Sequence, residues 1–463
     1  MDRDLQAAIA VTRFGLGARP GELETVKADP QGWLTAQIRH DGADQPQASP
    51  ATAAQRYAEV RQYAQQRREE RKDGTFDKGN RGDPVKMAAR LLRDDTGGDF
   101  LARAQLAATT DAGFRERWTL FWCNHFTVSA TKLVTATLVG PFEQEAIRPR
   151  VFGRFDNLLL ASSTHPAMLV YLDQAQSIGP HSRAAERFGG GDGKPKGLNE
   201  NLAREIMELH TVGVDAGYTQ ADVTEFARAM TGYSITGPRD ADQPGRFVFR
   251  QNAHEPGVRH VMGRSYTQDD GYQAWGVMQD LAASPHTARH IATKLAVHFV
   301  ADEPPPALVD RLQASFLETH GDLGVLARTL VTAPEAWDPQ PRKFKTPYEF
   351  MISSWRAAGT TPQTLQGLAP VLNSMGQKAF SAPSPKGWSE EAAVWCAPDA
   401  IVKRMAWSEG FAAGAIGDRD PVQLARDALG ARLTPLVAQA VARAETRAEG
   451  LSILLMSPEF QRR

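Results

Sequence analysis

The chain has 463 residues, of which 42% are hydrophobic and 23% are charged. This composition is sufficient to bury a sizeable core and excludes a disordered or collagen-like chain. Because 53 basic residues are balanced by 54 acidic ones, giving a net charge of -1, we expect no nucleic-acid partner. Cys123 and Cys396 are too few for a disulfide framework. Each is expected to be a small buried apolar residue, with one bridge between them as the open alternative.

The sequence carries no visible targeting signal. It begins Met1-Asp2-Arg3-Asp4, without the basic and then apolar stretch that marks a secretory leader. No run of about 18 apolar residues occurs, so we expect no membrane span. These observations predict a cytoplasmic protein.

The first predicted segment covers residues 1–99 and consists of helices with a charged arm and a loop. The run from Ala54 to Arg71 combines helix formers with many charges, which is typical of a solvated helix or projecting arm. The stretch from Lys72 to Asp83 is rich in Gly, Lys and Asp, and this predicts a mobile loop.

The second predicted segment, residues 100–240, has apolar residues at every third or fourth position and should be a helical core. Thr219 with Asp222 three residues later is typical of a capping box. Two apolar stripes should face the core: Phe114, Trp118, Phe121, Trp122 and Phe126 in one, and Leu198, Leu202, Ile206 and Leu209 in the other.

The third and fourth predicted segments are residues 241–275 and 276–463. In the third, the alternating run RFVFR, the turn-prone HEPG and the run VRHVMG predict a small β-hairpin near 246–266. In the fourth, Ser284-Pro285 and Thr346-Pro347 are typical helix starts. The whole chain is therefore predicted to be a mainly α, multi-helix globular assembly.

Glu205 is an unusual position within the second apolar stripe. At about 100° per residue, a helix over 198–212 directs Glu205 towards the core, with Asn201 and Glu208 on one flank and His210 on the other edge. A buried carboxylate must be paired, protonated or metal-bound. The sequence leaves open an acid/base or ligand role and a structural pair with Arg148, Arg150 or Arg289.

Histidines supply the other candidate groups. His125 lies at the centre of the aromatic stripe and should be buried, either as a packing residue or as a functional partner of Glu205. His254, in the predicted HEPG turn, is either a binding group or a plain turn residue. On the helix from Ser284, we expect His286, His290 and Lys294 to be solvated, with use in a cleft as the alternative.

Common enzyme signatures are absent. Gly189 to Lys194 lacks the spacing of a phosphate-binding loop and predicts a flexible loop, and the His254-Glu255 pair is followed by Pro256 rather than by a zinc-peptidase helix.

Several segments nevertheless resemble the bacterial family catalogued as domain of unknown function 1800 (DUF1800). They are Arg13 to Gly17, the FWCNHF run from Phe121, His165 to Asp173, the NENLAREIMELH run from Asn199 to His210, His254 to Gly257, Ala288 to Leu295, and Pro385 to Trp388.

This resemblance spans nearly the whole chain and implies a largely helical protein, without an established activity. Proteins of this family are often encoded beside members of family 1501, which resemble alkaline phosphatases and sulfatases and frequently carry a twin-arginine export signal. The resemblance therefore implies such a partner, and with it periplasmic location by partner-assisted export as an alternative to the cytoplasm.

Two functional hypotheses follow. The first is a hydrolase in which Glu205 and His125 form an acid/base pair in a cleft between helices, with Asn201, His210 and His254 orienting substrate. A divalent metal ion is its possible cofactor, with His125, Glu205, Glu208 and His210 as ligands. The second is a non-catalytic accessory or binding protein for a sulfatase- or phosphatase-like partner.

Overall fold

The computed structural model describes residues 1–73, 84–188, 197–237, 240 and 244–463. The predicted loop from Lys72 to Asp83 lies largely outside these ranges. Its first two residues, Lys72 and Asp73, are described and form the end of a helix. The flexible loop predicted from Gly189 to Lys194 lies outside the described residues.

Helices dominate the described part of the chain. Up to residue 237 they are α1 Arg3–Ile9, α2 Glu22–Lys27, α3 Pro30–Thr35, α4 Ala53–Lys72, α5 Pro84–Thr109, α6 Gly113–His125, α7 Leu133–Phe142, α8 Phe155–Thr164, α9 Pro166–Tyr171, α10 Arg183–Phe188, α11 Asn201–Glu205 and α12 Gln220–Ala229.

Further helices follow in the C-terminal half. They are α13 Tyr272–Ala282, α14 Pro285–Phe299, α15 Pro306–Glu318, α16 Leu323–Thr332, α17 Pro347–Ala358, α18 Ala369–Ser374, α19 Ala392–Trp395, α20 Pro398–Ala415, α21 Pro421–Leu429, α22 Pro435–Ala442, α23 Arg447–Met456 and α24 Pro458–Gln461. The mainly α prediction is confirmed.

The predicted helix starts are confirmed at the level of single hydrogen bonds. The Thr219 and Thr346 side chains each accept from the backbone N–H three residues later and complete capping boxes. Ser284 accepts from the His286 N–H, ahead of proline in the first turn. These caps satisfy N–H groups that the helices themselves leave without partners.

π-helical turns interrupt or extend several helices. They span Ala10–Phe14, Glu143–Ile147 and Ile206–His210 among the described residues. A π-turn widens the helix by an extra residue and shifts the faces of all later residues. The third turn directly continues α11, which matters for the candidate site.

Strand content is confined to two small antiparallel sheets in the described ranges. The strands are β1 Tyr233–Ile235, β2 Phe247–Phe249, β3 Arg259–Val261 and β4 Arg264–Tyr266. Both predicted β-runs form strands, but β2 pairs with β1 and β3 pairs with β4. The β3–β4 turn falls at Met262-Gly263, both with positive φ, because that pair suits a tight two-residue hairpin.

The aromatic stripe of α6 lies at the centre of the core. All five of its predicted members are buried, and the buried apolar side chains form one cluster that includes residues of all four predicted segments. The partition of the chain at residues 99, 240 and 275 stays a prediction. Within this core α14 packs against α15, and α7 packs against α4 and α5.

The charged arm is a 20-residue helix, α4, as predicted. Its largely exposed surface is interrupted by Arg56, which is fully buried and forms a two-pronged ion pair with the buried Asp99 at 2.5 and 2.9 Å. This contact attaches α4 to α5, so the start of the arm is part of the packed structure.

Both cysteines are free, so the alternative of a bridge is wrong. Cys123 is half-buried, whereas Cys396 is exposed and does not match the expectation of a buried residue. None of the described helices is long and apolar enough to cross a membrane.

Candidate functional site

Glu205 does not occupy the core position that the helical projection gave it. Its side chain is half-buried, because α11 begins only at Asn201 and widens into a π-turn after Glu205. The arginines suggested as its partners bind elsewhere: Arg148 pairs with Glu116, Arg150 donates to the carbonyls of Glu145 and Ala146, and Arg289 pairs with Asp310. Burial and the neighbouring Glu208 raise the pKa of Glu205.

Asn201 and His254 also lie apart from a shared cleft. Asn201 is exposed, and its backbone N–H donates to the Asn199 side chain. His254 is buried at 3% exposure, with Nδ1 3.0 Å from the carbonyl oxygen of Thr231. HEPG is therefore a connection with His254 and Glu255 buried and Pro256 and Gly257 exposed, rather than the hairpin turn. Among the described residues, no hydrogen bond or ring contact joins His254 to His125.

His125 is buried as predicted, and its main contact is with the end of the π-turn. Its Nε2 lies 3.1 Å from the carbonyl oxygen of His210, and the Nε2 of His290 lies 3.0 Å from that of Leu209. A carbonyl oxygen only accepts, so both Nε2 atoms carry the proton and both Nδ1 atoms keep a lone pair. The two imidazoles thus cap helix-end carbonyls, which supports the structural role of His125.

His210 is different because it has no such contact. It is 1% exposed, and neither ring nitrogen has a hydrogen-bond partner in the described residues. The Nδ1 of His125, whose ring centroid lies 5.9 Å away, also lacks one. Leaving a buried polar group without a partner costs about 1–3 kcal/mol, so two such rings together mark an unusual place in the core.

Lys294 completes a group of side chains that we name the basic cluster, consisting of His125, His210, His290 and Lys294. Burial, and then the charge of Lys294, lower the pKa of His210 to about 3 and of His290 to about 4. The same two causes hold the pKa of His125 well below its usual value. Burial lowers the pKa of Lys294 itself to about 8. At neutral pH the cluster is three neutral imidazoles around one ammonium.

The four residues predicted as metal ligands do not assemble into a centre. Glu208 pairs with Arg204 at 3.7 Å and adjoins Tyr218. In the part of the chain that the structure describes, no three His, Cys, Asp or Glu side chains are grouped so as to hold a metal ion. The ammonium of Lys294 beside His125 and His210 also opposes a cation.

One helical turn beyond Lys294, His298 forms the most enzyme-like contact of the described residues. Its Nδ1 lies 2.9 Å from both carboxylate oxygens of Glu390, and its Nε2 has no described partner although the side chain is 7% exposed. A carboxylate accepts, so Nδ1 carries the proton and Nε2 presents a lone pair. This is the arrangement of a histidine base oriented by a carboxylate.

The electrostatics keep His298 neutral and Glu390 ionised at pH 7. Burial lowers the pKa of His298, with Glu390 opposing that effect, so the ring is neutral at pH 7. Burial disfavours the Glu390 carboxylate, but the charge and hydrogen bond of His298, with Lys343 and Arg463, prevail and lower its pKa to about 2. Glu390 is thus ionised throughout the physiological range and stabilises a proton on His298.

A second layer of contacts fixes both residues. Lys343 donates to the Glu390 carbonyl, and Arg463 donates to the His298 carbonyl at 2.7 Å. Arg463 also pairs with Glu349 at 3.1 Å, and Glu349 pairs with Arg117. These buried charges bind each other in a chain, which holds the pair rigidly in the core.

His298 and Glu390 help to line a cavity of about 110 Å³. A water molecule takes about 30 Å³, so the space suits a few waters or a small molecule. Its wall combines phenylalanines with polar groups, among them Arg103, Arg117, Asn124, Glu143, Tyr348 and Glu349. Burial raises the pKa of Tyr348 to about 12, and its O–H finds no acceptor among the described residues.

The sequence analysis missed His298 and Glu390. The available signal was the spacing His290, Lys294 and His298, which places three bases on one face of α14. Glu390 lies 92 residues further along the chain, so nothing local in the sequence points to it. Of the predicted site residues, the structure brings together His125 and His210, without Glu205, Asn201 or His254.

The fold and this site define a mainly helical protein with a buried basic cluster beside a carboxylate-oriented histidine. The chain belongs to the family described as protein of unknown function (DUF1800), whose model matches residues 9–462. A search of curated proteins gives no match, and neither does a search of solved structures. Family segments around His125, His210, Lys294 and Trp388 contribute to this region.

Proposed function

We propose that this protein is a hydrolase whose general base is His298, oriented by Glu390. The supporting observation is the Nδ1 contact with Glu390 at 2.9 Å combined with an unpartnered Nε2 on a residue of the cavity wall. This proposal keeps the reaction class expected from the sequence and moves the base from Glu205 and His125 to His298.

The proposed chemistry is ester hydrolysis of a small substrate. The Nε2 lone pair of His298 takes a proton from water while the water oxygen forms a bond to the acyl carbon. Glu390 stabilises the resulting imidazolium by accepting from Nδ1–H. The C–O bond to the leaving alcohol then breaks, and Nε2 returns its proton to that oxygen. The Tyr348 O–H supplies a donor for the developing oxyanion.

The test compares His298→Gln with His286→Gln, since His286 lies on the same helix and is exposed. With 4-nitrophenyl acetate, phosphate and sulfate as probes, we expect wild type and His286→Gln to turn over the acetate. His298→Gln should lower kcat about 10²–10⁴-fold, which is the range for loss of a general base.

The pH profile separates a catalytic from a merely structural role. Glu390 raises the pKa of His298, so Glu390→Gln should shift the acidic limb of the kcat profile to lower pH while kcat falls. The proposal is refuted if wild type hydrolyses none of the three probes, or if folded His298→Gln retains wild-type kcat.

The alternative is the non-catalytic accessory protein for a sulfatase- or phosphatase-like partner. The observation that favours it is the exposed apolar pair Val402 and Met405 on α20, beside a groove lined by Ile453 and Met456 of α23. Under this alternative, His298→Gln leaves the function of the protein unchanged, so the same variant separates the two proposals.

A further inference from the structure

The strongest unexplained feature of the structure is a set of basic groups that bind no acid. Lys294 is partly exposed and forms no hydrogen bond or ion pair with the described residues. His210 is 1% exposed with both ring nitrogens unpartnered in that same part of the chain. A core tolerates such groups when they meet something that the protein itself does not supply.

We propose that Lys294 and His210 form a binding site for an oxyanion, such as a phosphate, sulfate or carboxylate group. The ammonium supplies charge, and a neutral His210 supplies one N–H donor. His125 and His290 already donate Nε2–H to carbonyls, so their rings are held in place around the ion.

Most of the neighbouring groups favour this ligand, and one, the carboxylate of Glu390, opposes it. The end of α6 contributes His125, the π-turn contributes His210, and α14 contributes His290 and Lys294. The segment 384–390 contributes Lys386, whose charge also acts on Lys294, and one acid, Glu390. The carboxylate of Glu390 takes its 2.9 Å bonds from His298, which leaves the ammonium of Lys294 available.

The site also defines a class of substrate, and this extension rests on the proposed function. Lys294 and His298 are four residues apart on one helix face, which is about 6 Å along the axis. His298 lines the cavity and Lys294 does not, so a substrate whose oxyanion binds Lys294 must extend about 6 Å to place its scissile bond at His298. The expected substrate class is a small ester carrying an oxyanion group at that separation.

Calorimetric titration of the full chain with inorganic phosphate, sulfate and acetate tests the site without any turnover. We expect saturable binding of at least one ion, at constant ionic strength in chloride. Lys294→Met should weaken that binding at least tenfold, and Lys294→Arg should retain most of it. Lys403→Met is the matched control, because Lys403 is an exposed lysine paired with Asp399, and should bind as wild type does.

The pH dependence gives a second readout. An anion binds the charged form of Lys294, whose pKa burial lowers to about 8, so binding should strengthen from pH 8 to pH 6 with net proton uptake. The inference is overturned if wild type binds none of the three ions, or if Lys294→Met binds with unchanged affinity. His298→Gln should still bind the ion, so loss of hydrolysis with intact binding would refute the proposed function alone.

Discussion

The basic cluster predicts a specific loss of stability in acid. An unfolded histidine titrates near its ordinary pKa of 6.5, whereas His210 in the folded chain has a pKa of about 3. Between these values the unfolded state binds a proton that the native state excludes, so the free energy of unfolding falls as pH falls below 6.5. Full stability from this group is present only above that pH.

The size of this loss of stability follows from how far the pKa of His210 is lowered. At 1.36 kcal/mol per pKa unit, lowering the pH to 5 removes about 2 kcal/mol of stability through His210. His290, whose pKa is lowered to about 4 for the same reasons, adds a similar amount, so the two together cost about 4 kcal/mol at pH 5, and the lowered pKa of His125 acts in the same direction. This is a large fraction of the 5–15 kcal/mol that is typical of folded proteins.

The assay is urea unfolding at pH 8 and pH 5, in buffers without phosphate or sulfate, for wild type and His210→Gln. The difference in unfolding free energy between the two pH values should be about 2 kcal/mol smaller in the variant. His286→Gln, at an exposed position on α14, should match wild type. An identical pH dependence in wild type and His210→Gln would refute the assignment of a buried neutral ring.

Two further predictions concern the residues that support the site. Gly387 has φ of +85°, and a Cβ there would lie 2.5 Å from the carbonyl oxygen of Asn124. Gly387→Ala should therefore destabilise the protein by at least about 1–3 kcal/mol. Gly376→Ala is the control, since no atom lies within 4 Å of a Cβ there, and it should cost about 1 kcal/mol. Equal melting temperatures of the two variants would contradict this prediction. Arg148→Met leaves the buried Glu116 unpaired and should cost about 3–5 kcal/mol in urea unfolding. Adding Glu116→Gln should recover part of that loss, and no recovery would argue against an unpaired charge as the cause.

The elements that could be predicted from sequence are those encoded locally. The capping boxes at Thr219 and Thr346 and the aromatic stripe of α6 depend on residues three or four positions apart, so their signals survive without tertiary information. Strand pairing is not encoded in this way. The run over Phe247–Phe249 was recognised as β, but its partner Tyr233–Ile235 lies upstream and carries no alternation that distinguishes it from a helix end.

The helical projection failed at Glu205 for a definite physical reason. It assumed one continuous α-helix from Leu198, whereas the chain turns helical only at Asn201 and forms a π-turn from Ile206. Each departure from 3.6 residues per turn rotates the predicted faces. Residues within and after the π-turn, His210 included, therefore have different neighbours from those that the projection gives.

The π-turn also explains how the basic cluster is assembled. Its final carbonyls need donors because the helix ends there, and His125, His290 and the Thr211 hydroxyl supply them to His210, Leu209 and Ile206. Those donors must approach the same end of the helix from α6 and α14, which brings their rings around the His210 side chain. The hydrogen bonds to these carbonyls thus bring the basic groups together. The side chain of His210 bonds to no carbonyl, so both of its ring nitrogens are without a partner among the described residues. On this argument the extra residue of the π-turn places His210 beside Lys294.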